Sequence, residues 1–295
     1  MRQTGAPGYG IRPAGFRLPD ETRVGRVRLQ VADLSRSIDY YEGSIGLTTI
    51  SRFAGGVELG PSPDRVLVEL HERRGLGPVP RRGALGLFHF AILLPDRSAL
   101  GRFLHHALGR GVVSGLADHA VSEACYLTDP DGLGIEVYAD RPRSDWRTRP
   151  DGQLHITTEP LNVSDVIAAG AGAPWHSAPA GTMMGHVHLH VGDLDRAESF
   201  YHRGVGFDKI MWTYPGALFL SAGGYHHHLG TNTWSSGAPA SDDHARLLSW
   251  DLETENPDAV VESLAQAGHA ATRHDEGWRV PDPWGTVVGV LRMNR

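Results

Sequence analysis

Histidine is the residue that stands out, with 17 copies in the chain beside a single cysteine, Cys125. Three residues able to bind a metal sit in otherwise apolar strand-like runs. They are His89 in LFHFAILLPD, His186 in GHVHLHVGD, and Glu136 in GIEVY, just after the turn-forming DPDG. Two neutral imidazoles and one carboxylate on a single face of a cation leave positions open for substrate, the pattern of non-haem iron(II) oxygenases. A lone strand histidine is more often a hydrogen-bonded core or surface residue, and Glu136 between Ile135 and Val137 could face solvent. The three together are harder to ascribe to packing. Burying polar groups without partners costs several kcal/mol, and a divalent cation is the natural partner.

Two further motifs carry potential chemistry. The first is AGGYHHHLGTNTW at 222–234. Read as a strand, it turns His226 and His228 to one face and His227 to the other. It is internal and flanked by strand-like residues, so it is not a purification tag. The reading adopted is a supply of supporting or acid/base histidines, against the plainer one of a solvated sheet edge. The second is ADHAVSEACYLTDPDGLGIEVYAD at 117–140, where Asp118 and His119 precede a strand carrying Tyr126 that leads to Glu136. A polar loop with a capping aspartate is the plainer reading there.

What must position these residues is a repeat. GRVRLQVADLSRSIDYYEGSIGL begins at Gly25 and GHVHLHVGDLDRAESFYHRGVGF at Gly185, with Asp33, Tyr41 and Gly46 recurring as Asp193, Tyr201 and Gly206. A weaker pair is DPDGLGIEVY at 129–138 and DPWGTVVGVL at 282–291. Each unit reads as an alternating strand (27–31, 187–191), an Asp-Leu helix start with the carboxylate as cap, a glycine stop, and two or three short strands. Four such βαβββ units emerge, roughly 24–74, 84–141, 183–235 and 245–293. The expected division is an arm at 1–22, a first domain at 23–141, a linker at 142–182 with a short helix at 163–169, and a second domain at 183–295. The fold class is α+β, with the four modules pairing into two half-open eight-stranded barrels. Equivalent positions decide where the metal goes. Units two and three hold His89, Glu136 and His186, where unit one has Arg26 and unit four has Ser249 and Gly289. The middle two modules must therefore pair to complete the site.

Bulk properties exclude several classes. A net charge of −6 and scattered arginines give no general attraction to nucleic acid or anionic membrane. No apolar run reaches the roughly 18–20 residues that span a bilayer, and the N-terminus lacks the apolar core of a signal peptide. One cysteine rules out an intrachain disulfide and a multi-cysteine metal cage. A cytoplasmic protein is expected, with exposed sheet edges open to forming a homodimer or tetramer.

HFAILLPDR, DHAVSEACYLTDPDGLGIEVYADRPRSDW, GHVHLHVGDL and GGYHHHLGTNTW resemble the vicinal-oxygen-chelate superfamily. Within it, they resemble the two-domain, catechol-2,3-dioxygenase-like type I extradiol enzymes. The likeness covers nearly all of the chain after the arm, and it implies a glyoxalase/dihydroxybiphenyl dioxygenase-like fold. It implies Fe(2+), with Mn(2+) as the alternative, held by His186, His89 and Glu136. It implies His227 as the acid/base histidine, Tyr126 as a hydrogen-bond partner of a substrate oxygen, and Asp118 and His119 as a supporting loop. The implied reaction opens the ring of a small aromatic diol with O2. One departure stands out: the family usually builds its site from modules three and four, and here module four lacks the ligands. Other readings remain open at this point. One is a glyoxalase-like isomerase or thiol transferase with His226 or His228 as fourth ligand, and another is a binding module for a small aromatic. A purely structural protein is the third. Phe90, Trp212 and Phe219 are candidate pocket walls, and Trp146 and Trp175 a candidate lid.

Overall fold

The computed structural model describes residues 8–80 and 84–293. Module one comprises β1 (Arg23–Val31), α1 (Leu34–Tyr40), β2 (Thr48–Phe53), β3 (Gly56–Gly60) and β4 (Val68–Glu72). Module two comprises β5 (Gly86–Leu93), α2 (Arg97–Gly109), β6 (Val113–Asp118), β7 (Ser122–Thr128) and β8 (Gly134–Asp140). The linker carries α3 (Val163–Ala169), the span expected from sequence. Module three comprises β9 (Met183–His190), α4 (Leu194–Ala197), β10 (Asp208–Met211), β11 (Ala217–Ser221) and β12 (Leu229–Asn232). Module four comprises β13 (Arg246–Thr254), α5 (Pro257–Gln266), β14 (Thr272–His274), β15 (Gly277–Pro281) and β16 (Val287–Arg292).

The repeated residues have repeated jobs. Asp33 and Asp193 accept from the backbone N–H groups of Arg36 and Arg196, satisfying donors that the first helical turn leaves free. Both helices then widen into π-helical turns, over Tyr41–Ile45 and Glu198–Val205. They stop at Gly46 (φ 84°) and Gly206 (φ 98°), conformations that only glycine adopts without strain. The recurring tyrosines lie in these turns. Tyr41 donates to Asp129 at 3.2 Å and Tyr201 to Asp282 at 2.8 Å, each latching its module to the Asp-Pro turn of the next.

The modules pair across the chain. One mixed sheet has the order β10-β11-β12-β9-β5-β8-β7-β6, and the other β14-β15-β16-β13-β1-β4-β3-β2. Modules two and three therefore share one sheet, joined by antiparallel β5 and β9, and modules one and four share the second, joined by β1 and β13. Alternation along the strands separates the two faces of the first sheet. Phe90, Ile92, Ile135, Val137, Val187 and Leu189 enter a core that also holds Val27, Leu29, Trp250 and Val288 of the second sheet. His89, Glu136 and His186 lie on the opposite face.

Connecting segments cover the edges of this first sheet. Ile11 of the arm bridges Lys209 on β10, and Arg17 pairs with Asp208 at 2.8 Å. The expected arm at 1–22 is therefore docked from residue 8 onward, and its first seven residues lie outside the described ones. On the far edge Glu159 of the linker bridges Asp118 on β6. No helix among the described residues is long and apolar enough to cross a membrane.

Candidate metal centre

Three strands deliver the three ligand candidates to one point. In the row across the sheet, Ala91 stands opposite His186 on one side and Glu136 on the other, while His89 is two residues back on β5. Ala91 carries only a methyl group, so the space above the middle of the row stays free. Into it point His89 Nε2 and Glu136 Oε2, 3.0 Å apart, with His186 Nε2 at 3.2 Å from the carboxylate and 3.4 Å from His89 Nε2. Each of these atoms is about 1.9 Å from their common centre. Donor atoms this close to a common centre would suit one small divalent cation, held by His89, Glu136 and His186. Among the described residues these three form the one cluster of His, Cys, Asp and Glu ligand atoms close enough to share an ion.

Burial and charge agree with that geometry. His89, Glu136 and His186 are all buried. Burial alone would raise the Glu136 pKa, but the adjoining His186 and His89 outweigh it and hold the carboxylate well below its usual range. Burial lowers His186 to about 4 against the opposing pull of Glu136, so its ring is neutral and ligand-ready near pH 7. His186 Nδ1 has no hydrogen-bond partner among the described residues. Packing orients the ring instead, between Tyr138 and His227 with centroids at 5.1 and 4.1 Å.

The cluster opens into a cavity of about 300 Å³. Its walls are largely aromatic: Phe88, Tyr126, Tyr214, Phe219 and Trp234, with Ile156 and Thr158 from the linker. His119, His188 and His227 add nitrogen donors and acceptors. His119 Nδ1 donates to the Thr157 carbonyl at 2.6 Å, which leaves Nε2 to accept from the Tyr126 hydroxyl at 2.7 Å. Burial, with Glu136 nearby, raises the Tyr126 pKa well above its ordinary value, so Tyr126 stays a neutral phenol.

The remaining sequence candidates fall on both sides of this boundary. His227 lines the cavity, and burial followed by its histidine neighbours lowers its pKa well below the ordinary value. Asp118 does not reach the cavity; it pairs with Arg141 at 2.5 Å and accepts from Ala120 N, fixing the turn that carries His119. The three consecutive histidines are not on a strand, because Gly223 and Gly224 (φ 59° and 63°) turn the chain out of β11 before them. Simple alternation therefore fails there. His226 bonds Asp140, and His228 accepts from Ala222 N at 3.2 Å, so neither joins the ligand cluster.

Phe219 is a cavity wall, whereas Phe90 stacks on Tyr41 in the core and Trp212 packs against that same core. Trp175 sits against Phe103 and Trp146 against His226, and neither lines the cavity. His188 and His190 were overlooked by the sequence reading. They share the His186 face of β9 and are bridged by Asn232, at 3.0 and 2.7 Å. The alternation in HVHLH was the signal for both.

Comparison with known proteins places this architecture. The Glyoxalase/Bleomycin resistance protein/Dioxygenase superfamily matches residues 23–137 and 183–288. A catechol-2,3-dioxygenase from Bacillus subtilis (strain 168) is 40% identical over 271 residues, spanning 90% of this chain and 95% of that protein. Among solved structures, glyoxalase I from Zea mays aligns over 92% of both chains with a TM-score of 0.57 at 19% identity. The cppA protein of Streptococcus pneumoniae TIGR4 aligns over 92% of this chain and 99% of its own, with a TM-score of 0.54 at 10% identity. At those identities the two structures speak for the fold alone. The family match over most of the length, the close relative and the paired-module sheets agree, and the chain belongs to the Glyoxalase/Bleomycin resistance protein/Dioxygenase superfamily.

Proposed function

We propose that the protein is an iron(II)-dependent extradiol dioxygenase that opens the ring of a catechol-type substrate with O2. The observation that carries this reading is the His89–Glu136–His186 triangle facing an aromatic-walled cavity of single-ring size. The 40% identity to a catechol-2,3-dioxygenase supports it. Three protein ligands leave room for a diol and O2 together, whereas a site saturated by four protein ligands would not. Iron(II), with manganese(II) as the alternative ion, would when bound hold both reactants and let electron density pass between them.

The chain's own groups do the rest. Because Tyr126 donates its hydrogen to His119, its oxygen remains free to accept from a substrate hydroxyl and so orient the ring. His227 takes and returns the diol proton. Phe88, Phe219 and Trp234 hold the ring and displace water from around it. The family-type division into a first unit at 23–141 and a second at 183–295, a cytoplasmic location and a homo-oligomeric state belong to the same proposal. A reducing compartment keeps ferrous iron and the buried Cys125 thiol reduced.

The test is metal analysis of anaerobically purified protein followed by O2 uptake on a panel of catechols and hydroquinones. One iron per chain and uptake matched by a ring-opened product are expected. Tightly bound zinc or nickel, with no uptake on any diol, would overturn the proposal.

A further inference from the structure

Behind His227 the structure places a chain of hydrogen bonds that leads away from the cavity. His227 Nδ1 lies 2.7 Å from His226 Nδ1, and His226 Nε2 lies 3.0 Å from Asp140 Oδ1. Asp140 also accepts from the Tyr225 hydroxyl at 3.0 Å. Its side chain is 29% exposed, whereas that of His226 is fully buried, so the chain runs from the interior to the surface. The Trp146 ring covers His226 edge-on at 5.5 Å.

Donor and acceptor identities follow from chemistry. An ionised carboxylate only accepts, so the hydrogen between His226 and Asp140 sits on His226 Nε2. A neutral imidazole has one N–H, which leaves His226 Nδ1 bare and able only to accept. The hydrogen in the His226–His227 bond therefore belongs to His227 Nδ1. His227 is left with its lone pair on Nε2, the nitrogen that no protein hydrogen bond engages among the described residues. That is the tautomer a base lining the cavity requires.

We propose that Asp140 and His226 are positioning residues that fix the tautomer of His227 and carry its proton charge outward. When His227 accepts a proton at Nε2, it passes the one on Nδ1 to His226 Nδ1. The charge then rests on His226, beside the Asp140 carboxylate, and the reverse transfer returns it. The logic is that of a carboxylate holding a catalytic imidazole in its working tautomer. The base role of His227 rests on the function proposed above; the tautomer assignment does not.

Asp140→Asn tests it, because an asparagine amide can donate to His226 Nε2. His226 Nδ1 then carries the hydrogen, and His227 is driven to hold its own on Nε2. Nitrogen-15 NMR of metal-free protein reads the tautomers directly. The expected result is Nδ1–H on His227 in the natural protein and Nε2–H in Asp140→Asn. In the iron-loaded enzyme we expect kcat to fall by roughly 10²–10⁴-fold at nearly unchanged KM and iron content. Asp140→Glu should restore both. If Asp140→Asn does not fold, His226→Gln serves for the kinetic split. An Nε2–H tautomer of His227 in the natural protein, or an NMR signature and kcat untouched by Asp140→Asn, overturns the proposal. If no diol is turned over at all, the dioxygenase reading fails and the NMR result still decides the tautomer.

Discussion

Gly134 offers a way to test the proposed metal centre without touching a candidate ligand. It lies two residues before Glu136 on β8, beside β5, where a Cβ would sit 2.1 Å from the Phe88 carbonyl oxygen and 3.2 Å from His89 Cβ. Ordinary contact begins near 3.4 Å, so Gly134→Ala must part β5 from β8 by about 1 Å. His89 travels with β5 and Glu136 with β8, so their 3.0 Å separation absorbs much of that displacement. Metal sites tolerate errors of about 0.2 Å in ligand distance. Losing one ligand's geometry should weaken binding at least about 100-fold, or about 2.7 kcal/mol. The assay is competition for the metal against a chelator of known affinity, with circular dichroism to check folding. Gly109→Ala is the control: its Cβ meets nothing within 4 Å at the end of α2, and metal affinity should not change. A folded Gly134→Ala protein with natural metal affinity would refute the placement of the ion between β5 and β8.

Other outcomes are expected on the same grounds. Glu136→Gln and His186→Ala should take metal content from near-stoichiometric to near zero. His227→Ala should retain the metal and lose roughly 10²–10⁴-fold in kcat; normal turnover in that variant would remove His227 from the reaction. Tyr126→Phe should cost about tenfold in kcat/KM through one lost hydrogen bond to substrate, with full metal content. Acid should destabilise the metal-free protein. Burial lowers His186 to about 4 and His228 to about 3, and lowers His188 and His227 well below 6.5. Between pH 6.5 and those depressed values the unfolded chain binds more protons than the native one. Stability therefore falls as pH drops, by up to about 1.4 kcal/mol per pH unit for each ring. Asp129, pushed up to about 7 by burial, works in the opposite sense, as do Asp251 and Asp282, but the fully buried histidines dominate. A Tm that holds or rises between pH 6.5 and 5 would contradict this.

Much of the scaffold was legible because its signals are local. The caps Asp33 and Asp193, the stops Gly46 and Gly206 and the helix at 163–169 all follow from short-range backbone chemistry. The pairing of the middle modules was legible for a different reason: only they carry ligand-type residues at equivalent positions. Alternation, applied consistently, would also have excluded Phe90, since it adjoins His89 on one strand and must face the core. It failed for His226–His228, because the Gly223-Gly224 turn removes those residues from any strand. Asp140 was invisible for a further reason. Its partners, His226 and Tyr225, lie more than 80 residues away, and only the β5–β9 junction brings the two segments together. The wall residues Ile156 and Thr158 come from a linker with no periodicity to read.

The second sheet is a natural comparison for the candidate metal centre, because it has the same frame without the ligand triangle. Its row sets Gly289 beside Asp251 in the places of Glu136 and Ala91, with Ser249 in that of His89, while Arg26, in the place of His186, falls in a register shift of β1. The open space above Ala91 is here filled by the Asp251 carboxylate, bound by Arg28 at 2.7 Å and Arg26 at 3.2 Å. Those arginines also pair with Glu69, at 3.1 Å from Arg28 and 3.3 Å from Arg26. A Cβ at Gly289 would lie 2.3 Å from Asp251 Oδ1, so a glutamate there and the aspartate exclude each other. Opposite charges thus neutralise one another where the first sheet leaves a carboxylate and two imidazoles close enough to hold a cation. The small residue at the centre of the row matters as much as the ligands on either side. Ala91, which no motif would single out, is what makes the triangle of His89, Glu136 and His186 a place where an ion can sit.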